Sequence, residues 1–344
     1  MIKINQVWKK ISSSGLIWTF LALLLMLVVN LVIKPGFFSL EMKEGHLYGS
    51  LIDILNNGAP LMILAVGMTL VIATGGTDLS VGPVIAITGA VATSLIGVKS
   101  GVTNMPLPFV LLIAIGAATC CGLWNGMLVS RIGIQPIVAT LILMVAGRGI
   151  AQMITSGKIV RIFYEPYFFF GAQGYMVIPF SLFVVAGVYL VAWLFTRRTA
   201  FGMFLESIGV NSNSSRFSGI NEKNVKLIAY AVSGLCAGIA GILLSSNMKS
   251  ADGNNAGLYY ELDAILSVAL GGTALSGGRF SLAGSFLGAL IIQSLTTTIY
   301  SLGVPPQFTL VVKAMVVFLV SMLQSENFRL TLKEKLVFWK GTAS

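Results

Sequence analysis

Gly75-Gly76-Thr77-Asp78-Leu79-Ser80-Val81-Gly82 separates two apolar runs, 52–73 and 81–98, and its reading decides the architecture. Each flanking run has the length of a helix that crosses a hydrocarbon core, for which about 20 mainly apolar residues suffice. A polar, glycine-rich break between two such runs is a turn between membrane helices or a point where one helix is interrupted. The stretch Gly271-Gly272-Thr273-Ala274-Leu275-Ser276-Gly277-Gly278 repeats it at six of eight positions, again between apolar runs. Matching interruptions in two parts of a chain point to the translocation region of a transporter. They are also what similar glycine-rich turns between helices look like.

Outward from these breaks, apolar runs bounded by charge, Pro or Gly give spans near 16–33, 52–73, 81–98, 107–129, 136–155, 176–196, 225–246, 258–274, 281–301 and 307–324. The sequence thus predicts an all-α integral membrane protein of about ten helices, one transmembrane domain over 1–344. The third and eighth runs are short and Gly-interrupted, so half-helices or re-entrant segments are open there. Composition agrees: 56% of the 344 residues are hydrophobic and 10% charged, with mean hydropathy +0.90, against about 25% charged in soluble domains. Lys3, Lys9 and Lys10 precede the first run, and no small-residue cleavage site follows before Lys34-Pro35, so that run reads as a retained helix.

The net charge of +10 would suggest nucleic acid for a soluble chain. Here the basic residues fall at helix ends, which excludes that partner and implies contact with membrane lipid. With the N-terminus inside, Lys3, Lys9, Lys10, Arg131, Arg197, Arg198, Arg216, Lys223, Lys226, Arg279, Arg329, Lys333, Lys335 and Lys340 are cytoplasmic. Lys34, Lys43, Lys99, Lys158, Arg161 and Lys249 lie outside. Fourteen against six, with Arg148 and Lys313 inside spans, favours both termini in the cytoplasm, as the distribution of Lys and Arg across membranes requires. Cys120, Cys121 and Cys236 sit in apolar segments as small core residues.

Catalytic patterns are missing from the sequence: no nucleophile elbow, no phosphate-cradling loop, and a single histidine, His46, in an outside loop. The chain reads as a non-enzyme without cofactor or metal, and any ATP must be bound by another chain. Charge within a bilayer is costly, which singles out Asp78, Arg148, Glu261, Asp263 and Lys313. Glu261 and Asp263 open the eighth span, where carboxylates also favour a helix N-terminus. Arg148 needs a partner from another helix or a wet cavity. Thr69, Thr74, Asn125, Gln135, Thr140, Gln152 and Gln293 offer uncharged hydrogen-bonding groups suited to a hydroxyl-bearing solute, though such groups also join helices. Gly122/Gly126, Gly234/Gly238 and Gly284/Gly288 have the small-xxx-small spacing that lets helices approach closely.

The longest inside loop, 197–224, is punctuated by Gly202, Gly209-Val210-Asn211 and Ser218-Gly219-Ile220, with a Ser-rich stretch that can cap short helical turns. It is the natural seat for a cytoplasmic partner.

Gly67-Met68-Thr69-Leu70-Val71-Ile72-Ala73-Thr74 and the break that follows it resemble the signature of the ribose/xylose/arabinose/galactofuranose permease family of ABC importers. So do Gly122-Leu123-Trp124-Asn125-Gly126, Gln135-Pro136-Ile137-Val138-Ala139-Thr140-Leu141, Asn254-Asn255-Ala256-Gly257 and Glu261-Leu262-Asp263-Ala264-Ile265. Ile52-Asp53-Ile54-Leu55-Asn56 and Val145-Ala146-Gly147-Arg148-Gly149 are most similar to the galactofuranose branch. The resemblance implies a type II importer permease with broken helices in an inner membrane. It also implies cytoplasmic ATP-binding subunits, a periplasmic sugar-binding protein and a second permease subunit, either a paralogue or another copy. Gly75, Gly76, Asp78, Ser80, Asn125, Gln135 and Thr140 would then belong to the pathway of a monosaccharide. Gly209, Asn211, Ser218, Gly219 and Ile220 would belong to the segment seated on the ATPase. Ser214 and Ser215 depart from the small alanines usual there. Galactofuranose, another monosaccharide such as ribose or xylose, and an ion-coupled secondary carrier are the functions to separate.

Overall fold

The computed structural model describes residues 15–33, 36–43, 46–97, 105–171, 174–175 and 177–324. Among the basic residues used for orientation, Lys3, Lys9, Lys10, Lys34, Lys99, Arg329, Lys333, Lys335 and Lys340 lie outside the described residues, as do both termini. The described chain is a helical bundle: α1 Gly15–Ile33, α2 Ser50–Ala73, α3 Val81–Ile96, α4 Leu107–Met127, α5 Pro136–Thr155, α6 Glu165–Phe168, α7 Phe180–Arg198, α8 Phe201–Val210, α9 Ser212–Phe217, α10 Glu222–Met248, α11 Tyr260–Leu270, α12 Leu282–Ser301 and α13 Pro306–Gln324. Two-residue to three-residue strands form small antiparallel pairs, β1 Glu41–Lys43 with β2 His46–Tyr48, β3 Ile159–Arg161 with β6 Ser250–Asp252, and β4 Gly174–Tyr175 with β5 Ile178–Pro179.

Every expected span carries a helix. Six are long and apolar enough to cross a membrane: α2, α4 with its π-helical continuation to Ile132, α5, α7, α10 and α12. Pro136 and Pro306 stand in the first turn of α5 and α13, where a missing N–H costs nothing. Gly133, at φ +84, closes the π turn after α4.

The centre is α2, the most enclosed of the long helices, flanked by α10, α12 and α11. Its buried face runs unbroken from Gly58 to Ala73. Glycines set the approach of these helices. A Cβ on Gly122 of α4 would meet the Gly234 Cα of α10 at 2.9 Å, and one on Gly238 the Ala118 Cβ at 2.8 Å. On α12, a Cβ at Gly284 or Gly288 would collide with the carbonyls of Gly271 and Ser267. The small-residue stripes therefore serve packing inside this one chain.

The eighth run takes the half-helix form left open for it, and one expectation needs correction. The run 258–274 holds a helix of only 11 residues, about 16 Å at 1.5 Å per residue and too short to cross. The chain before it is a strap that descends along α3: Ala251 lies beside Gly89, and Gly257 beside Gly82. Those α3 positions are seven residues apart, about 10 Å along the helix, so α11 begins at depth rather than at the surface. Irregular backbone at such depth requires burial within protein, which Gly253 and Gly257 have. The correction concerns the cysteines: Cys236 is buried and Cys121 half-buried, but Cys120 is exposed on α4.

Candidate functional site

The two glycine-rich breaks meet. Gly75, at φ +78, turns the chain out of α2, and Gly277, at φ +93, turns it toward α12. A Cβ on Gly277 would fall 2.7 Å from the Gly75 nitrogen and 3.1 Å from the Gly209 Cα. The Gly278 amide donates to the Ala73 carbonyl at 3.0 Å. Gly209, one residue from the end of α8, fits only because it lacks a side chain: a Cβ there would collide with the Ala73 oxygen and the Gly278 nitrogen. One short helix of the 197–224 loop thus bears on both breaks at once.

Beyond Gly75 the first break folds back on a polar cluster. Asp78 is 1% exposed, and its Oδ1 accepts from the Ser80 amide at 3.0 Å and the Ser80 hydroxyl at 2.6 Å. Its Oδ2 accepts from the Ser233 hydroxyl of α10 at 2.7 Å. Asn125 of α4 donates to the Ser80 oxygen at 2.8 Å, leaving its own buried Oδ1 without a partner among the described residues. Tyr230 donates to the Thr77 carbonyl at 3.1 Å, and its hydroxyl lies where a Cβ on Gly76 would come within 2.7 Å. The carboxyl group holds the turn before α3 through Ser80 and ties it to α10 through Ser233, while Asn125 joins α4 to the same turn through the Ser80 hydroxyl.

Gly75, Gly76, Asp78, Ser80 and Asn125 therefore come together. Gln135 and Thr140 do not join them through a described hydrogen bond: Gln135 is exposed at the cap of α5, and Thr140 bonds back to the Pro136 carbonyl at 2.9 Å. Sequence reasoning missed Tyr230 and Ser233. Two polar groups three apart in the apolar stretch 227–244 of α10 share a face, which is the signal that could have found them.

The Asn211 side chain accepts from the Ser214 amide at 3.0 Å and caps α9. Ser218 ends that helix, Gly219 takes φ +84, and the Ile220 amide returns to the Ser215 carbonyl at 3.1 Å. Ser214 and Ser215 are both helical, and the Ser215 hydroxyl reaches that of Ser207 at 2.8 Å, so serine here stiffens the α8–α9 corner. Around the corner an open hollow of about 510 Å³ is lined by Met203, Glu206, Val210, Ser214, Ser218 and Arg279. Met203 and Val210 of this lining are exposed, and so, outside the hollow, is Phe217 of α9 at 92%.

Of the remaining charges, Lys313 of α13 pairs with Asp263 of α11 at 2.8 and 3.1 Å. Arg148 finds its partner in the strap, donating to the Ala256 carbonyl at 2.6 Å. Among the described residues no His, Cys, Asp and Glu group could hold a metal ion.

A family profile described as the permease component of branched-chain amino acid transport systems matches residues 50–321. The chain belongs to this permease family. It is 48% identical over 307 residues to the galactofuranose transporter permease of Escherichia coli K12, across 89% of each chain. It is 38% identical over 341 residues to the fructose import permease of Bifidobacterium longum NCC 2705, across 96% of this chain and 94% of that one. The ribose import permease of E. coli K12 is 35% identical over 311 residues, 89% of this chain and 92% of the relative. No solved structure matches the chain significantly. The expected kinship with the ribose and galactofuranose permeases is met, and the chain is a multi-pass membrane permease rather than an enzyme.

Proposed function

We propose that the chain is the membrane-spanning subunit of an ATP-driven, binding-protein-dependent importer that carries a monosaccharide, galactofuranose foremost, into the cytoplasm. The observation that carries this reading is the seat of α8 on both glycine-rich breaks through Gly209, Ala73 and Gly278. A cytoplasmic ATPase that grips the exposed Met203, Val210 and Phe217 would move α8. Because Gly209 has no side chain to yield, that movement passes directly to the ends of α2 and of the break before α12. Gly75, Gly76, Asp78 and Ser80 act as the hinge of the pathway, with Asn125 beside them and Gln135 and Thr140 along α5. Asn211, Ser218, Gly219 and Ile220 hold the coupling segment in shape.

On this reading both termini are cytoplasmic in an inner membrane. The working unit adds two ATP-binding subunits, a periplasmic sugar-binding protein and a second permease subunit. Support for galactofuranose is the 48% identity to a permease named for that sugar, with the fructose and ribose permeases at 38% and 35%. The test is uptake of labelled galactofuranose, with ribose, xylose and fructose as competitors, in vesicles carrying the permease, ATPase and binding protein. Uptake that needs ATP and survives an uncoupler is expected. Uptake that follows an ion gradient without ATP overturns the reading in favour of a secondary carrier.

A further inference from the structure

The strap 253–259 is irregular backbone packed on α3 at Gly257 and on α5 at Gly253, with Asn254, Asn255, Leu258 and Tyr259 exposed, and it is tied to α5 by the bond from Arg148 to the Ala256 carbonyl. Arg148 lies in the middle of α5, twelve residues and about 18 Å from its start. Two residues beyond the strap stands Glu261, 2% exposed, with a buried Oε2 that has no hydrogen-bond partner among the described residues. Gly82 makes room for that oxygen: a Cβ there would collide with Oε2 and reach the Gly257 carbonyl at 2.5 Å. Glu261 and Asp252 are both within electrostatic range of the guanidinium. The strap also holds strain at its end. The non-glycine residues at positive φ among the described ones are Ser156, Lys249 and Tyr259, at 53°, 53° and 65°. Tyr259 is the last residue of the strap and caps α11, Lys249 caps α10 ahead of β6, and Ser156 caps α5. Such residues are costly and persist where the surroundings hold them.

A buried carboxylate oxygen left unpaired, beside a guanidinium that spends a hydrogen bond on a backbone carbonyl, is half of an arrangement with two solutions. We propose that Arg148 is a gating residue. In the state described here it clamps the strap through Ala256, and in the other state of the transport cycle it turns to Glu261, releasing the strap and its strain. The forked guanidinium suits the exchange, since one side chain presents five donors in a plane. The inference rests on the transport reading only for the cycle it serves.

The test places a reporter under the strap. Ala86 of α3 is 2% exposed and shares a one-water cavity with Ala256 and Asp252. In the full-length chain with Cys120, Cys121 and Cys236 replaced by alanine, Ala86→Cys is labelled in membrane vesicles with the membrane-permeant N-ethylmaleimide. Arg148→Gln removes the clamp and is expected to speed labelling about tenfold, the equivalent of one hydrogen bond made by a charged group. Glu261→Gln removes the partner of the released state and is expected to slow labelling about tenfold. A structural role for both residues would loosen the strap in both variants, so faster labelling in both, or no change in either, overturns the proposal. If Arg148→Gln does not reach the membrane, Arg148→Lys, with a compact ammonium in place of the fork, must give a smaller change of the same sign. Labelling needs neither sugar nor ATPase, so failure of the importer reading would show in the uptake experiment and leave this result standing.

Discussion

Gly209→Ala tests the contact on which coupling depends. The added Cβ would enter the space held by the Ala73 oxygen and the Gly278 nitrogen. Carbon and polar atoms settle at roughly 3.5 Å, so α8 must retreat by on the order of 1 Å. Overpacking of this kind costs about 1–3 kcal/mol. The retreat also strains the bond between Gly278 and Ala73, worth about 1 kcal/mol. Because α8 sits at the edge of the bundle, the chain should still insert and assemble. The expected result is ATP hydrolysis close to wild type with sugar moved per ATP reduced about tenfold or more, measured together in reconstituted vesicles. Gly187→Ala on α7 is the control, since a Cβ there meets nothing within 4 Å, and it should leave both rates unchanged. A wild-type ratio of sugar to ATP in Gly209→Ala would refute the idea that the two breaks are driven through this glycine.

Ser233→Ala leaves the buried Asp78 Oδ2 without its donor and should lower stability by about 1–3 kcal/mol, read by thermal unfolding in detergent. Asn211→Ala removes the cap of α9 and should cost that segment about 1 kcal/mol, seen as faster amide exchange over 212–217 with no change over α10. Removing one partner of the half-buried pair Asp263–Lys313 should destabilise the chain by about 3 kcal/mol, while Asp263→Leu with Lys313→Leu recovers most of it. For Asp252, burial pushes the carboxyl up, but donation from the Asn255 side chain and the Asn254 and Asn255 amides, with the Arg148 charge, outweighs it and holds the group below its ordinary value of 3.8. A depressed value means stability that is present above 3.8 and lost as pH falls through the folded value. The protection of amides over 249–257, taken as exchange relative to the intrinsic rate at each pH, should therefore stay flat from pH 7 to 5 and fall only below the ordinary value of 3.8, and Asp252→Asn should abolish that fall.

Among the described residues, apolar run length found the six helices long enough to cross a membrane, because satisfying the backbone inside a bilayer leaves few alternatives. It overestimated 258–274 for a physical reason: Leu258 and Tyr259 are apolar enough to extend the run, yet they belong to the strap, and hydropathy does not register depth. The glycine-rich repeat was legible as two related breaks. Their contact was not, since it depends on Gly209, far away in sequence, having no side chain. Asp78 stood out by its charge, whereas Ser233 and Tyr230, which satisfy it and its neighbour, looked like ordinary polar residues of a long helix. Gln135 and Thr140 were picked by the same polar criterion as Asn125. Only Asn125 faces the cluster, because Thr140 is spent on its own helix.

The position of α11 joins the two proposed working parts. Its C-terminal end is the Gly271–Gly278 break that touches α8 and Gly75, and its N-terminal end is the strap held by Arg148. At about 16 Å it is short, and the carbonyls of Gly271 and Ser267 lie against Gly284 and Gly288 with no side chain between. A short helix packed backbone to backbone has little room to bend or to shift by fractions of a side chain, so displacement at one end must reappear at the other. Longer spans such as α4 and α5, with much of their surface outward, could absorb the same push by tilting. On the proposed reading this is why a half-helix stands where the hydropathy suggests a full one. Its lower end receives the movement of α8, and its upper end carries Glu261, within electrostatic range of Arg148, the guanidinium proposed to hold the strap or let it go.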